Sequence, residues 1–320
     1  MGQAFENPTK WNEFYEMSWD GRRKLMSDII SSGETNPLRV VNLFLSSIRL
    51  SHEQQRPLIS DAKNMMGITE GELGSNSVDI RNVSQVDDSK AINITPHMNL
   101  PGGRRADIQH VHRNKFSVVS SYTDCDKMDF LADYCQLRNF DAVIELGSGY
   151  GGNLVKLFYQ GGPKVPYYAG EFTQSGIQCA DMLNELSEEF EINSFRFDFR
   201  YPNFSFIPKF ENILVFTCHS IEQVDFIPDD LLPDISKIAK NVTCIHMEPF
   251  GFQMASGDVG RDVDEYHRRF FVEKGWNQNL LNQLIVHTSN GNIDLEYIGK
   301  NTLGGSDSHS PSSLAVWKSL

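Results

Sequence analysis

Apolar positions follow two different patterns along the chain, and the change between them divides it into regions. Residues 11–32 and 36–50 carry apolar residues at helical spacing and predict two helices. Residues 67–102 are rich in Gly, Ser, Asn, Asp and Pro and have weak periodicity, which favours an extended connector or covering segment. We therefore predict a helical N-terminal region over residues 1–66, a connector or lid over 67–123, and a third domain over 124–320.

In the third region, short apolar runs alternate with helical patterns, which is typical of a parallel sheet covered by helices on both faces. The predicted strands are 142–146, 167–171, 194–199, 212–217 and 242–247, and the predicted helices are 124–137, 153–159, 173–188, 230–239 and 264–288. Two further β-like runs, 293–298 and 313–317, follow the last helix and are suited to antiparallel pairing. We therefore expect an α/β fold with a mostly parallel seven-stranded sheet and a terminal antiparallel strand.

Composition and charge narrow the range of partners. The chain has 29 basic and 42 acidic residues, and the formal charge of −13 disfavours nucleic acid and anionic membrane surfaces. Its five cysteines are odd in number and widely spaced, which predicts reduced core residues. No basic-then-apolar leader and no apolar run of about eighteen residues occurs. We expect a cytoplasmic protein whose partner is a small neutral or cationic molecule.

A glycine-rich turn, residues 145–152, lies between the first predicted strand of the domain and the helix after it. Glycine lets a ligand lie directly against the main chain. Gly147, Gly149 and Gly152 match the spacing of a dinucleotide-binding fingerprint, and Glu171 follows at the distance of a ribose ligand. The glycines alone therefore fit either a dinucleotide or S-adenosylmethionine.

Acidic residues at three successive strand ends favour S-adenosylmethionine. Glu145 precedes the turn and suits the ammonium side of a methionine moiety, whereas it is of little use beside a pyrophosphate. Glu171 closes the next strand and is placed to accept the ribose hydroxyls. Asp198 closes the third strand, where the adenine amino group needs an acceptor. Three acids in this order suit a cationic cofactor.

With these motifs, residues 142–320 resemble the class I S-adenosylmethionine-dependent methyltransferases, and the terminal hairpin resembles theirs as well. The resemblance implies a Rossmann-like methyltransferase fold with S-adenosylmethionine as cofactor. The cofactor-binding residues that it implies are Glu145, Gly147, Ser148, Gly149, Gly151, Glu171, Phe172, Asp198, Phe199 and Cys218. The helical N-terminal region is similar to that of small-molecule methyltransferases, including sugar O-methyltransferases, and suggests a homodimer formed through these helices.

Titratable residues follow the fourth and fifth predicted strands, where the acceptor should meet the methyl group. His219 is the candidate base if the acceptor is a hydroxyl. Glu222 and Glu248 are the candidates to bind the cation if the acceptor is an amine or a guanidine, as in an amino acid. The sequence therefore predicts methylation of an oxygen or a nitrogen of a small polar metabolite.

Alternatives to this interpretation remain open. His97, His110 and His112 are suited to a lid, and because no carboxylates cluster beside them we assign no metal site. A nicotinamide-dependent oxidoreductase on a related sheet is a first alternative, disfavoured by Glu145 and the terminal hairpin. A non-catalytic protein of the methyltransferase fold is a second.

Overall fold

The computed structural model describes residues 8–48, 97–100, 104–112, 115–119, 127–254, 268–269, 271–273, 275–303 and 312–320. Two helices come first, α1 (Pro8–Ser31) and α2 (37–48), as the helical spacing predicts. A three-stranded antiparallel sheet follows, made of β1 (His97–Leu100), β2 (Arg104–His112) and β3 (Lys115–Val119). The predicted connector thus contains strands that the sequence did not reveal, because a pattern rich in polar residues gives little hydrophobic periodicity.

The third region alternates strands and helices. Its elements are α3 (Lys127–Gln136), β4 (Ala142–Leu146), α4 (Gly152–Tyr159), β5 (Tyr167–Glu171), α5 (Gln174–Asn184), β6 (Ile192–Arg196), β7 (Asn212–Cys218), α6 (Leu231–Ile235), β8 (Asn241–Glu248), α7 (Leu280–Ser289), β9 (Ile293–Leu303) and β10 (Ser312–Ser319). Two single 3₁₀ turns, Ile221–Gln223 and Gly251–Gln253, follow β7 and β8.

The strands of this region form one sheet in the order β6-β5-β4-β7-β8-β10-β9. The first five pair in parallel, whereas β10 runs antiparallel to both β8 and β9. This arrangement confirms the predicted α/β fold class. The chain order reverses at β4, which has β5 on one side and β7 on the other, and such a switch point opens a crevice at the carboxyl ends of the strands.

Two predicted elements have different limits in the structure. The third strand ends at Arg196, so Asp198 lies two residues beyond it and not at its last position. The prediction of one helix over 264–288 was wrong. Gly275, with φ of 68°, is followed by Asn277, whose Oδ1 accepts the N–H groups of Asn279 and Leu280. These bonds end the preceding turn and start α7 as a separate helix.

The strands β4 and β5 are buried at every position. Four of the predicted core cysteines, Cys135, Cys179, Cys218 and Cys244, are free thiols, and Cys125 lies outside the described residues. Among the helices that the structure describes, none has the length and apolarity to cross a membrane.

A buried polar network joins β7, β8 and β10. Trp317 Nε1 donates to His246 Nε2 at 3.0 Å, so the imidazole carries its proton on Nδ1, which donates to Thr217 Oγ1 at 3.0 Å. The Thr217 hydroxyl in turn bonds to the Glu248 carboxylate. Because His246 is completely buried, desolvation lowers its pKa from 6.5 to about 3.

This histidine is expected to make the fold sensitive to acid. The folded protein keeps His246 neutral while the unfolded chain protonates it below its ordinary pKa, so its contribution is complete above pH 6.5 and is lost as the pH falls toward 3. Between pH 7 and pH 5 the loss is about 2 kcal/mol. Urea unfolding at both pH values should show this loss in the native protein, and His246→Gln should reduce it. An equal acid dependence in the two proteins would contradict the assignment.

Candidate functional site

A cavity of about 320 Å³ lies at the carboxyl edge of the sheet, over the switch point at β4. Its size is in the range of ligand pockets, about 300–1,000 Å³. Its walls are Tyr15, Trp19 and Arg22 of α1, Gly147 and Gly149 after β4, Glu171, Phe172 and Thr173 at β5, Phe197, Asp198 and Phe199 after β6, and His219, Ser220, Gln223 and Val224 after β7. The cavity therefore contains much of the predicted site.

The glycine-rich turn has a backbone conformation that side chains rarely adopt. Gly147, Gly149 and Gly151 have φ values of 76°, 57° and 77°. A Cβ on Gly147 would lie 2.3 Å from the Ser220 Cβ, and one on Gly149 would lie 2.9 Å from the Trp19 ring. The turn is thus closed from two sides, and only glycine fits at these positions.

Glu171 ties the end of β5 to this turn. Its Oε2 accepts the Gly149 N–H at 2.9 Å, and its Oε1 accepts the Thr173 N–H at 2.8 Å and the Thr173 hydroxyl at 2.7 Å. The side chain is buried, and this desolvation raises the pKa of its carboxyl group. A ligand hydroxyl at Glu171 would therefore meet a carboxylate that the protein has already fixed in position.

Glu145 lies behind the turn and does not line the cavity. Its Oε1 accepts a hydrogen bond from Asn153 Nδ2 at 2.7 Å, whereas its Oε2 and the Ser148 hydroxyl are buried and have no hydrogen-bond partner among the residues that the structure describes. Complete burial, with the nearby Glu171 and Glu248 carboxylates, raises the pKa of Glu145 well above its usual value. Buried polar atoms without partners are rare and mark a place where a ligand can supply the missing bond. A donor such as an ammonium group fits here.

Beyond β6, Asp198 is engaged by a residue that the sequence analysis missed. Arg200 Nη2 lies 2.8 Å from Asp198 Oδ2, and Arg200 Nε donates to Oδ1 at 3.0 Å. The guanidinium groups of Arg196 and Arg200 lie 4.7 and 5.4 Å from the centre of the Phe172 ring. The Asp-x-Arg spacing in the sequence could have indicated this pair, because an arginine two residues after an aspartate can donate to both carboxylate oxygens. Asp198 and Phe172 both face the cavity, where an aromatic base has a ring and an acceptor beside it.

The loop after β7 holds His219 in a left-handed conformation with φ of 51°, which is uncommon for a residue with a side chain. Its Nδ1 lies 3.2 Å from Glu222 Oε2, and its Nε2 lies 2.6 Å from the hydroxyl of Ser312 on β10. Glu222 also accepts Gln223 Nε2 at 2.9 Å. The structure therefore brings two of the three predicted catalytic residues, His219 and Glu222, into contact.

Glu248, the third predicted catalytic residue, binds the protein's own backbone. It is buried, and its two oxygens accept the Ser220 N–H at 3.1 Å, while Oε1 also accepts the Ile221 N–H at 3.3 Å. With Glu222 it lines a second cavity of about 10 Å³, room for a single water-sized group. Glu248 therefore shapes the loop that carries His219. Three predicted cofactor residues, Ser148, Gly151 and Cys218, also lie outside the lining of the larger cavity.

Helix α1 forms the outer wall of the cavity, with Tyr15, Trp19 and Arg22 at the i, i+4, i+7 spacing of one helix face. Glu16, beside them, accepts the Gln174 and Ser175 N–H groups at 2.8 Å each and so caps α5. The spacing of these residues was visible in the sequence.

Arg22 is the cation of this wall. Its guanidinium lies 4.6 Å from the centre of the Trp19 ring, and no carboxylate among the described residues pairs with it.

The histidines of the predicted lid fall on β1 (His97) and β2 (His110 and His112), and their side chains lie outside what the structure describes. In the described part of the chain, no group of three or more His, Cys, Asp or Glu side chains is arranged to hold a metal ion.

No family model matches the sequence, and no curated protein matches it. Solved structures that are similar include the CcbJ methyltransferase from Streptomyces caelestis, 11% identical with a TM-score of 0.41 over 61% of this chain and 89% of that one. The mitomycin 7-O-methyltransferase MmcR is 13% identical, with a TM-score of 0.40 over 61% and 53% of the two chains. A geranyl diphosphate C-methyltransferase from Streptomyces coelicolor A3(2), in complex with S-adenosyl-L-homocysteine, is 11% identical, with a TM-score of 0.38 over 61% and 78%. The present chain thus spans about half the length of the mitomycin enzyme.

Proposed function

We propose that this protein is an S-adenosylmethionine-dependent methyltransferase that methylates a hydroxyl group of a small polar molecule. The observation that carries the proposal is the buried Oε2 of Glu145 behind the left-handed glycine turn, which has no hydrogen-bond partner in the described part of the chain. It suits the ammonium group of a methionine moiety and is of little use beside the pyrophosphate of a dinucleotide. The antiparallel β10, where a dinucleotide-binding sheet continues in parallel, supports the same choice.

The residues around the cavity fit each part of this cofactor. Glu171 would hold the ribose, Phe172 and Phe199 would flank the adenine, and Asp198 would accept from its amino group. Glu145 behind the glycine turn and Ser148 within it lie outside the cavity lining, and the ammonium group would donate to their buried oxygens, which have no hydrogen-bond partner among the described residues. When bound, S-adenosylmethionine supplies an electrophilic methyl group. The protein's own work is then to hold the acceptor in line and to take its proton.

Arg22 is suited to the one anionic group of this cofactor, the methionine carboxylate, because it is the cavity's cation without a carboxylate partner in the described structure. Arg22→Gln is expected to weaken S-adenosylhomocysteine binding by roughly 10- to 100-fold, the value of a lost charged hydrogen bond. Binding of 5′-methylthioadenosine, which lacks the amino-acid part, should not change.

Calorimetric titration of both ligands provides the measurement. Arg23→Gln is the matched control, because Arg23 pairs with Asp20 on the same helix at 2.8 Å and does not line the cavity. Equal losses for the two ligands, or no loss for either, would remove Arg22 from the carboxylate site.

The hydrogen bonds favour a hydroxyl acceptor over an amine or guanidine. Neither Glu222 nor Glu248 lines the larger cavity, since both face the second cavity of about 10 Å³, so a cationic acceptor beside the glycine turn would meet neither carboxylate. His219 has its Nδ1 on Glu222, which leaves the Nε2 lone pair as the proton acceptor. An acceptor hydroxyl would take the place of the Ser312 hydroxyl there and pass its proton to Nε2 as its oxygen bonds to the methyl carbon and the bond from that carbon to sulfur breaks.

The proposal is tested by incubating the protein with isotopically labelled S-adenosylmethionine and a metabolite extract, followed by mass spectrometry of the products. We expect a labelled methyl ether whose formation falls by about 10²-fold or more in His219→Ala. A labelled methylamine would overturn the hydroxyl assignment. Tight cofactor binding without any labelled product would indicate a non-catalytic protein of the same fold.

A further inference from the structure

A chain of hydrogen bonds connects the covering helix α1 to strand β10 through the loop after β7. The Tyr15 hydroxyl donates to Gln223 Oε1, and Gln223 Nε2 donates to Glu222 Oε1 at 2.9 Å. The other Glu222 oxygen contacts His219 Nδ1 at 3.2 Å, and His219 Nε2 contacts the Ser312 hydroxyl at 2.6 Å. Two of these bonds join distant parts of the sequence. Tyr15 and Gln223 are 208 positions apart, and His219 and Ser312 are 93 positions apart.

The chemistry of each group fixes the direction of every bond in this chain. A carboxylate only accepts, so Glu222 must receive hydrogens from both Gln223 and His219. The amide of Gln223 therefore presents its nitrogen to Glu222 and its oxygen to Tyr15, which must donate. His219 carries its proton on Nδ1, and its bare Nε2 accepts from Ser312. Reversing any one bond would place two acceptors or two donors face to face.

We propose that Tyr15 is a positioning residue, which sets the tautomer of His219 through Gln223 and Glu222 when α1 covers the cavity. This inference rests on the proposed function, in which Nε2 of His219 takes the acceptor's proton. Without the Tyr15 hydroxyl, the Gln223 amide loses this donor to its oxygen and keeps in this chain only the bond from its nitrogen to Glu222. An amide that turns away from Glu222 removes one of the donors to this carboxylate, and the carboxylate is then held less firmly toward His219 Nδ1.

The position of Tyr15 is itself well determined, because its neighbours anchor α1. Glu16 binds the first N–H groups of α5, and the Trp19 ring lies against Gly149. Tyr15 is also largely buried, and desolvation together with the Glu222 charge raises its pKa to about 12, so it keeps its proton and remains a donor. The base of the proposed reaction is therefore set up by the same helix that closes the cavity.

The experiment compares the native protein with Tyr15→Phe, which removes the hydroxyl and keeps the ring. Long-range ¹⁵N–¹H NMR of histidine-labelled protein reports which ring nitrogen carries the proton, and His219→Gln identifies the His219 signals among the nine histidines. We expect His219 in the native protein to be protonated on Nδ1 and in Tyr15→Phe to be a mixture of tautomers. Tyr134→Phe is the matched control, because that buried hydroxyl has no hydrogen-bond partner within the described ranges.

Activity and cofactor binding give the second readout. With the acceptor found by the labelling experiment, kcat should fall on the order of tenfold in Tyr15→Phe, part of what a base contributes. The affinity for S-adenosylhomocysteine should stay the same, whereas a merely structural role of Tyr15 would lower the affinity as well. An unchanged His219 spectrum, or an equal loss of affinity and kcat, would overturn the inference.

The NMR measurement needs neither cofactor nor acceptor, so the two proposals fail separately. If the native protein binds no S-adenosylhomocysteine, the proposed function fails whatever the tautomer. If it binds and Tyr15→Phe leaves the His219 tautomer unchanged, the proposed function stands and this inference alone fails.

Discussion

Replacing Gly147 by alanine is expected to abolish measurable binding of S-adenosylhomocysteine and to lower the free energy of unfolding by about 2–5 kcal/mol. Two costs combine at this position. The φ of 76° is unfavourable for any residue with a side chain, and the added Cβ would lie 2.3 Å from the Ser220 Cβ and 3.1 Å from the Phe199 ring. Ser220 and Phe199 both line the cavity, so relief of the collision deforms it.

Gly291→Ala separates these two costs. Gly291 has a similar φ of 68°, but a Cβ there meets no atom within 4 Å. We expect it to lose only about 1–2 kcal/mol, the backbone part, and to retain cofactor binding. Urea unfolding and calorimetry of the two variants measure both quantities. Equal destabilisation and intact binding in Gly147→Ala would show that the turn does not form the site as described.

Replacing Glu171 by alanine has the second large expected effect, a loss of S-adenosylhomocysteine affinity on the order of 100-fold. The variant removes the acceptor for the ribose and also releases the Gly149 and Thr173 N–H groups that the carboxylate holds. Glu171→Gln keeps one acceptor oxygen and should lose less. The exposed Glu188 on the segment after α5 provides a control of equal charge change, Glu188→Ala. Calorimetric affinity that is the same in all variants would exclude Glu171 from the site.

Local features of the site were predictable because they depend on neighbours in sequence. The glycine turn follows strand β4 and precedes a helix. Glu145 lies on β4 and Glu171 at the end of the neighbouring β5, so the order of the elements fixes where both lie relative to the turn. The seven-stranded sheet followed from alternating apolar runs for the same reason. The first and last residues of the helices and strands were less predictable where a polar side chain determines them, as Asn277 does at the start of α7.

Contacts between distant segments could not be predicted from the sequence. Tyr15 and Arg22 reach the cavity from more than a hundred residues away, and nothing in the spacing of α1 says which surface its face covers. The difference between His219 and Glu248 was equally hidden. Both lie at the end of an apolar strand. Glu248 accepts hydrogen bonds from loop N–H groups, whereas His219 faces the cavity. Only the folded backbone determines this difference.

The central claim is that the cavity over the glycine turn binds S-adenosylmethionine, and its most direct test is a calorimetric titration of the native protein. S-adenosylhomocysteine and NAD⁺ are titrated separately into the same preparation. We expect saturable binding of S-adenosylhomocysteine at a single site and no detectable binding of NAD⁺. Binding of NAD⁺ in preference to S-adenosylhomocysteine, or no binding of S-adenosylhomocysteine, would contradict it.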